Sequence, residues 1–353
     1  MGITRLEISN VRNLQDIKLD LSPGFNGFCG ANGSGKSSLL EALYILGRGN
    51  SFKTNNLNHA IQYGAQKLLV SGRVTPSNIA LGVEYHPQLA QYRIAEQNVR
   101  SRLMLATHLP LLFIGPESHT LISEGPQQRR RFLNWGVFHV EPQFLSTWRR
   151  YQRAFKQRNK ALSSRGVDTD VWDVELARTA EQITQMRRDY ITRLGPFVQL
   201  YVQRLVNLEK VTLNFSPGWR QDIDYLNALR TSLPHDREFG FTRQGPHRAD
   251  VILKVGNRPA REVVSRGQQR LLVIAMLLAQ VALLNQFTSM MPVILIDDIV
   301  SELDICHRQR LLNVLFELKA QLLLTLTEKQ SLPIDKEIPI TWFHVEHGNV
   351  TPE

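Results

Sequence analysis

A chain of 353 residues, 42% of them apolar, can fill one large core or two modest ones, which excludes a disordered or fibrous polypeptide. Cys29 and Cys306 are the only cysteines and stand in no C-x-x-C spacing, so neither a disulfide framework nor a zinc ribbon is expected and a reducing, cytoplasmic setting fits. With 42 Lys and Arg against 32 Asp and Glu, the formal net charge of +10 points to a polyanionic partner, either nucleic acid or a membrane surface.

In chain order, residues 3–21 alternate apolar and polar positions around Asn10-Val11-Arg12-Asn13-Leu14, which predicts two strands joined by a polar turn; the start carries no apolar signal core. Arg12 and Asn13 serve either as plain turn residues or as groups leaning over a ligand. Phe25–Cys29 reads as a buried strand leading into Gly30-Ala31-Asn32-Gly33-Ser34-Gly35-Lys36-Ser37, a G-x-x-x-x-G-K-S phosphate loop. Beyond it Ser38 opens a helix whose Leu39, Leu40, Leu43 and Leu46 share one face. Glycines let backbone N–H groups curl round a phosphate, and the helix N-terminus adds partial positive charge. Lys36 would reach the β- and γ-phosphates of a nucleoside triphosphate, and Ser37 would hold Mg²⁺.

Short strand candidates at Leu68–Val74, Ile79–Tyr85 and Tyr92–Ile94 suggest a flanking antiparallel sheet, and Leu109–Glu117 a further buried strand ending in a turn. From Gln127 to Glu209 the pattern turns helical. Trp148, Tyr151, Phe155 and Leu162 form one stripe, and Leu176, Ala180, Ile183, Tyr190 and Leu194 a second, which predicts a helical arm. Phe144–Arg165 carries Arg149, Arg150, Arg153, Lys156, Arg158, Lys160 and Arg165 with no acidic residue. That face is either solvated or a site for a DNA backbone, with Arg149, Arg150, Arg153 and Lys156 the candidate contacts.

From Asp236 the chain reads as strand through Gly245-Pro246-His247-Arg248 into Val251–Val255, with His247 and Arg248 open to a structural or a functional role. Ser265-Arg266-Gly267-Gln268 stands at the mouth of an apolar run, Leu271–Leu284, that is too short to span a bilayer and reads as a buried helix. A Ser hydroxyl, a Gly backbone and a helix N-terminus can bind an anion, or simply cap the helix. Val293-Ile294-Leu295-Ile296 is a doubly buried strand expected beside the loop strand, and it ends in Asp297 and Asp298. Asp297 would share Mg²⁺ with Ser37, and Asp298 would orient or deprotonate the attacking water. Cys306–Leu318 reads as a helix. The strand Gln321–Thr327 brings Thr325 and Thr327 towards the same edge, and Trp342–Val345 closes the chain with a Gly348-Asn349 turn.

The order and spacing of Asn10–Asn13, Gly30–Ser37, Gly245–Arg248, Ser265–Gln268 and Leu295–Asp304 resemble the ABC-type ATPase heads of the SMC group, in its recombination and repair branch. The Ser265 segment and the Ser301-Glu302-Leu303-Asp304 turn discriminate best, because a phosphate loop alone fits many ATPases. The resemblance implies a mixed α/β (α+β) head, built round the phosphate loop from residues 1–122 and 240–353, with a mixed sheet and a flanking antiparallel sheet. Residues 123–239 would form a helical arm and signature-side lobe.

It further implies head-to-tail dimerisation around ATP and Mg²⁺. Ser265, Arg266, Gly267 and Gln268 of one chain would close over the γ-phosphate held by Lys36 of the other, with Arg12 and Asn13 on the nucleotide and Thr327 at the switch position. Single- or double-stranded DNA, at a gap or junction, and the RecO and RecR mediators that load RecA are the implied partners; the setting is cytoplasmic and nucleoid-associated, with no membrane. The sequence departs from the group's pattern at Val11, Lys53 and Ala249. It also has Asp298 in place of Glu and Thr327 in place of His, which points to slow, switch-like hydrolysis; the resemblance implies that DNA stimulates it. Two other classes share these motifs: the ATPase subunit of a membrane transporter, and a DNA clamp in which nucleotide only holds two chains together.

Overall fold

The computed structural model describes residues 2–164, 167–288, 290–298, 303–329, 332 and 339–353. By internal packing the chain divides into two compact units, Met1–Ser118 with Ser289–Glu353, and His119–Thr288. The sequence reading had placed residues 240–288 with the head; here they belong to the second unit.

The first unit opens with β1 (Gly2–Val11) and β2 (Leu14–Asp20), paired antiparallel down to Val11 opposite Leu14, so the turn is Arg12 and Asn13 alone. The fully buried β3 (Phe25–Cys29) leads into the phosphate loop and α1 (Lys36–Arg48). Next come β4 (Leu68–Thr75), β5 (Ile79–His86), β6 (Leu89–Ile94) and β7 (Gln97–Val99), completing an antiparallel sheet of order β2-β1-β4-β5-β6-β7. A short α2 (Leu103–His108) precedes β8 (Leu111–Ile114).

In the second unit α3 (Thr120–Ser123), α4 (Pro126–Val140), α5 (Phe144–Leu162) and α6 (Asp170–Val206) follow in turn, then β9 (Val211–Ser216) and α7 (Tyr225–Phe239). A small sheet of β9, β10 (Asp250–Val255) and β11 (Arg258–Pro259) precedes α8 (Ala260–Val263) and α9 (Arg266–Thr288). The sequence reading made Asp236 the start of a strand. Asp236 instead lies in the last turn of α7, fully buried, and residues 241–249 form a loop with one short helical turn at Pro246–Arg248. The cause is a buried ionic cluster. Arg158 on α5 donates to Asp173 on α6 at 2.5 Å, to Asp236 at 2.7 Å and to Thr242 Oγ1 at 2.8 Å, tying three helices and the loop together. Arg158 was counted with the basic face of α5, but it is wholly buried. Helix α9 is nine residues longer than the 14-residue apolar run and by length and composition alone could cross a membrane. It is instead largely buried, packing against α6 and α4 as the core helix of this unit.

The chain then returns to the first unit with β12 (Val293–Asp297), α10 (Ile305–Glu317), β13 (Leu322–Leu326), β14 (Ile340–Glu346) and β15 (Asn349–Pro352). The mixed sheet runs β15-β14-β3-β13-β12-β8, parallel except for β15. The acid-bearing β12 is therefore not the neighbour of β3, as its apolar run had suggested; β13 lies between them. The apolar runs Val293–Ile296 and Leu322–Leu324 carry no sequence mark of which strand is inner. Helix α1 packs against strands of both sheets, which explains why it is apolar nearly all round: Leu39, Leu40, Leu43, Ile45 and Leu46 are all fully buried. Of the turn quoted after the acid pair, Ser301 and Glu302 lie outside the described residues; Asp304 caps α10 by accepting from the His307 N–H.

Candidate functional site

The phosphate loop takes its shape from glycine and from the C-terminal hairpin. Gly33 and Gly35 sit at φ 80° and 123°, a region that side chains with a Cβ rarely enter. Gly30 is held by proximity instead: a Cβ there would lie 2.1 Å from the carbonyl oxygen of Val345 on β14. The hairpin turn adds a bond from the Gly348 N–H to the Ser34 carbonyl at 2.8 Å. From the other side Asn13 donates to that carbonyl at 3.2 Å and accepts from Ser38 Oγ at 3.0 Å.

A cavity of about 180 Å³ opens over this loop. It is lined by Asn32, Gly33 and Gly35–Ser38 of the loop and helix start, by Asn13 and Lys53, and by Asp297 and Asp298. Lys36 Nζ donates to the Gly30 and Ala31 carbonyls at 2.7 and 2.9 Å. Burial pulls its pKa below the ordinary lysine value, opposed by the nearby Asp298 and Asp297 carboxylates. At the end of β12, Asp297 Oδ1 accepts from Ser37 Oγ and from Thr325 Oγ1 on β13, both at 2.8 Å. Thr325 Oγ1 in turn accepts from the Asp298 N–H at 3.0 Å, and Asp298 leaves the strand at φ 47°.

The donors and acceptors are sorted by end. On the loop side, α1 has no side-chain N-cap, and Ser34 Oγ is buried without a hydrogen-bond partner among the described residues, a surplus of donors suited to an anion. Next to these donors stand the Ser37 hydroxyl and two carboxylates, the oxygen set that suits a Mg²⁺ ion completing its shell with phosphate and water. Among the described residues no group of three or more His, Cys, Asp or Glu could hold a metal unaided. The residues present thus fit a nucleoside triphosphate with Mg²⁺.

Several residues singled out in the sequence sit elsewhere. Arg12 does not line the cavity; its guanidinium makes a two-bond pair with the fully buried Glu41, both at 2.9 Å, and donates to the His59 carbonyl. Gly30, Ala31 and Ser34 shape the loop from behind, and Thr327 lies one residue past β13, half-buried, outside the cavity lining. In the second unit Ser265 is the N-cap of α9 in a reciprocal capping box: its N–H donates to Gln268 Oε1 at 3.0 Å and its Oγ accepts from the Gln268 N–H at 3.3 Å. Ser265, Arg266 and Gly267 are exposed. A Cβ on Gly267 would meet nothing within 4 Å, so no packing among the described residues explains a glycine in this first helical turn. On α5, Arg149, Arg153 and Lys156 are exposed, and Arg150 is engaged by Glu175.

Four residues carry more of the site than the sequence disclosed. Thr325 ties the two acids together, Lys53 lines the cavity, and Glu41 with Ser51 anchors Arg12. A carboxylate among the leucines of α1 was the available signal for Glu41. Nothing distinguished Thr325 from Thr327.

Comparison with known proteins agrees along the whole chain. The profile of the RecF/RecN/SMC N-terminal domain matches residues 2–348. The DNA replication and repair protein RecF of Pseudomonas entomophila is 41% identical over 99% of this chain and 98% of the relative, and that of Pseudomonas aeruginosa 40% identical over the same shares. Among solved structures, the recombination mediator protein RecF-ATP in the RecFOR pathway superposes with a TM-score of 0.89 at 24% identity, over 99% of this chain and 97% of that one. An Smc head bound to the C-winged helix domain of ScpA gives 0.60 at 15% identity, over 100% and 97%. The fold is therefore the mixed α/β ATPase-head fold, and the chain belongs to the RecF family of DNA replication and repair proteins.

Proposed function

We propose that this chain binds ATP with Mg²⁺ at the Gly30–Ser38 loop, closes head to tail with a second copy on DNA, and opens again through slow hydrolysis. In that role it would work with the RecO and RecR mediators in loading RecA at replication gaps. The observation that carries the reading is the meeting of Ser37 and Asp297 at 2.8 Å across 260 positions of sequence, in one cavity with Lys36.

Lys36 would exchange the Gly30 and Ala31 carbonyls for the β- and γ-phosphates, to which it brings a charge already partly desolvated. Ser37 and Asp297 would hold Mg²⁺, which neutralises charge on the phosphate oxygens. Asp298 would position the attacking water. As a shorter carboxylate than Glu it reaches less far, in keeping with a slow turnover. The exposed Ser265 cap and the open space at Gly267 support a phosphate-contacting surface that serves another copy of the chain. The named relatives act in DNA replication and repair, and the solved RecF-ATP structure is described as a recombination mediator in the RecFOR pathway. The exposed Arg149, Arg153 and Lys156 supply charge for a DNA backbone.

The test is equilibrium binding of labelled ATP to the full chain and to Lys36→Ala. Removal of the phosphate-contacting ammonium should weaken binding by at least roughly 100-fold, the cost of about 3 kcal/mol for a charge-assisted contact. Equal affinity in the two chains would refute the phosphate-loop assignment.

A further inference from the structure

Thr325 is fully buried in the mixed sheet, and its hydroxyl is the one polar side-chain group on a strand otherwise made of leucine. The parallel register places it opposite Asp297 of β12 on one side and opposite Phe28 of β3 on the other. A hydroxyl at that depth needs partners, and this one has two. It donates to Asp297 Oδ1 at 2.8 Å and accepts from the Asp298 N–H at 3.0 Å. One side chain therefore holds the carboxylate of the first acid and the backbone of the second.

Both bonds act on the nucleotide cavity. Asp297 Oδ1 accepts from Ser37 Oγ as well, at 2.8 Å. Ser37 is itself a proposed ligand of the ion, so Thr325 is the anchor of this carboxylate that stands outside the ligand set. A donor in that position fixes the orientation of a ligating group, and its loss costs metal affinity. Asp298 follows at φ 47°, a left-handed backbone that a residue with a Cβ adopts at a cost. The bond from its N–H to Thr325 offsets that cost and sets the direction in which the chain leaves β12, and with it the place of the second carboxylate. Thr325 is not among the residues lining the cavity, so it reaches a bound nucleotide only through the two acids.

We propose that Thr325 is a positioning residue for nucleotide hydrolysis, its single hydroxyl orienting Asp297 for Mg²⁺ and Asp298 for the attacking water. This rests on the reading of the cavity as a site for ATP and Mg²⁺, and adds to it the residue that couples metal binding to water activation. Valine at this position keeps the volume and loses both bonds. Serine keeps both bonds and loses only a methyl group.

The experiment compares the full chain with Thr325→Val and Thr325→Ser at one chain concentration, each well below its urea midpoint. Affinity for a labelled non-hydrolysable ATP analogue is measured across a Mg²⁺ titration, and single-turnover hydrolysis of ATP at saturating Mg²⁺. Without Mg²⁺ the three chains should bind the analogue alike, because the phosphate contacts come from the loop and Lys36. Mg²⁺ should tighten binding by the wild type and Thr325→Ser, whereas Thr325→Val should need roughly ten-fold more Mg²⁺ for the same gain. Hydrolysis by Thr325→Val should slow roughly 100-fold even at saturating Mg²⁺, the cost of a displaced Asp298, and Thr325→Ser should restore it. Should Thr325→Val not fold, Thr325→Ala against Thr325→Ser makes the same comparison of hydroxyl lost with hydroxyl kept. Wild-type Mg²⁺ dependence or wild-type turnover in the chain without the hydroxyl would overturn the proposal, and so would a Thr325→Ser chain as impaired as that one. A wild type whose binding ignores Mg²⁺, or that binds no nucleotide at all, would overturn the underlying reading of the cavity instead.

Discussion

The two units bury charge in opposite ways. Around the phosphate loop, Lys36 and Asp297 are buried at the edge of a cavity, and Lys36 Nζ donates to backbone carbonyls and to no carboxylate among the described residues, an arrangement that keeps charge ready for something from outside. In the second unit Arg158 is sealed between Asp173 and Asp236 with no access to solvent, a charge paired twice within the chain. Arg187 is a third case. It is wholly buried, bonded to the Pro246 carbonyl and the Asn134 side chain and lying over the Trp148 ring, and burial pushes its pKa down to about 9. A buried charge therefore marks a site only where it borders a cavity that its complement also lines. Elsewhere it fixes how helices meet.

Substitutions sharpen this contrast, the largest effect coming from Arg158. Arg158→Met strands two buried carboxylates, so thermal or urea unfolding should show a loss of about 3–5 kcal/mol, with ATP binding retained by whatever fraction stays folded. Less than about 1 kcal/mol would mean that the cluster is solvated and not a fastener. Arg187→Met strands no charge. It removes two hydrogen bonds to neutral acceptors and also the cost of desolvating a guanidinium, so the same assay should read a loss of about 1–2 kcal/mol.

His247 gives the smallest effect at neutral pH. Burial first, and then the nearby Arg248, Arg130 and Arg187, lower its pKa from 6.5 to about 4. The unfolded chain takes up the proton first as pH falls, so the stability from the neutral imidazole is present in full above pH 6.5 and is lost progressively towards pH 4, by up to about 3 kcal/mol. His247→Gln should be nearly silent at pH 7 and should flatten the difference between unfolding at pH 7 and at pH 4.5. An unchanged pH dependence would place the proton elsewhere.

What the sequence disclosed follows the same division. The phosphate loop, β3 and α1 are contiguous, and their glycines, lysine and leucine stripe state their purpose locally. The acid pair at the end of β12 was readable because four apolar residues run straight into two carboxylates. Local pattern could not show that β13 separates β12 from β3, since Val293–Ile296 and Leu322–Leu324 are equally apolar, nor that Thr325 and not Thr327 bonds Asp297. It also misread residues 236–250. Asp236 is in a helix because Arg158, 78 positions earlier, holds it there, and Gly245 turns the chain where a strand was expected. Glu41, likewise, is defined by Arg12 and Ser51, residues on separate segments.

In the proposed dimer one nucleotide is gripped by two copies of the chain, Lys36 from one and Ser265 from the other. Sedimentation velocity with ATP and Mg²⁺ on Lys36→Ala, on Ser265→Arg and on their equimolar mixture tests it directly. Each variant alone should remain monomeric, because every composite site is damaged. The mixture should form a heterodimer, since pairing the two variants restores one site with both Lys36 and Ser265 intact. A mixture as monomeric as its components, or a Ser265→Arg chain that dimerises like wild type, would contradict the account.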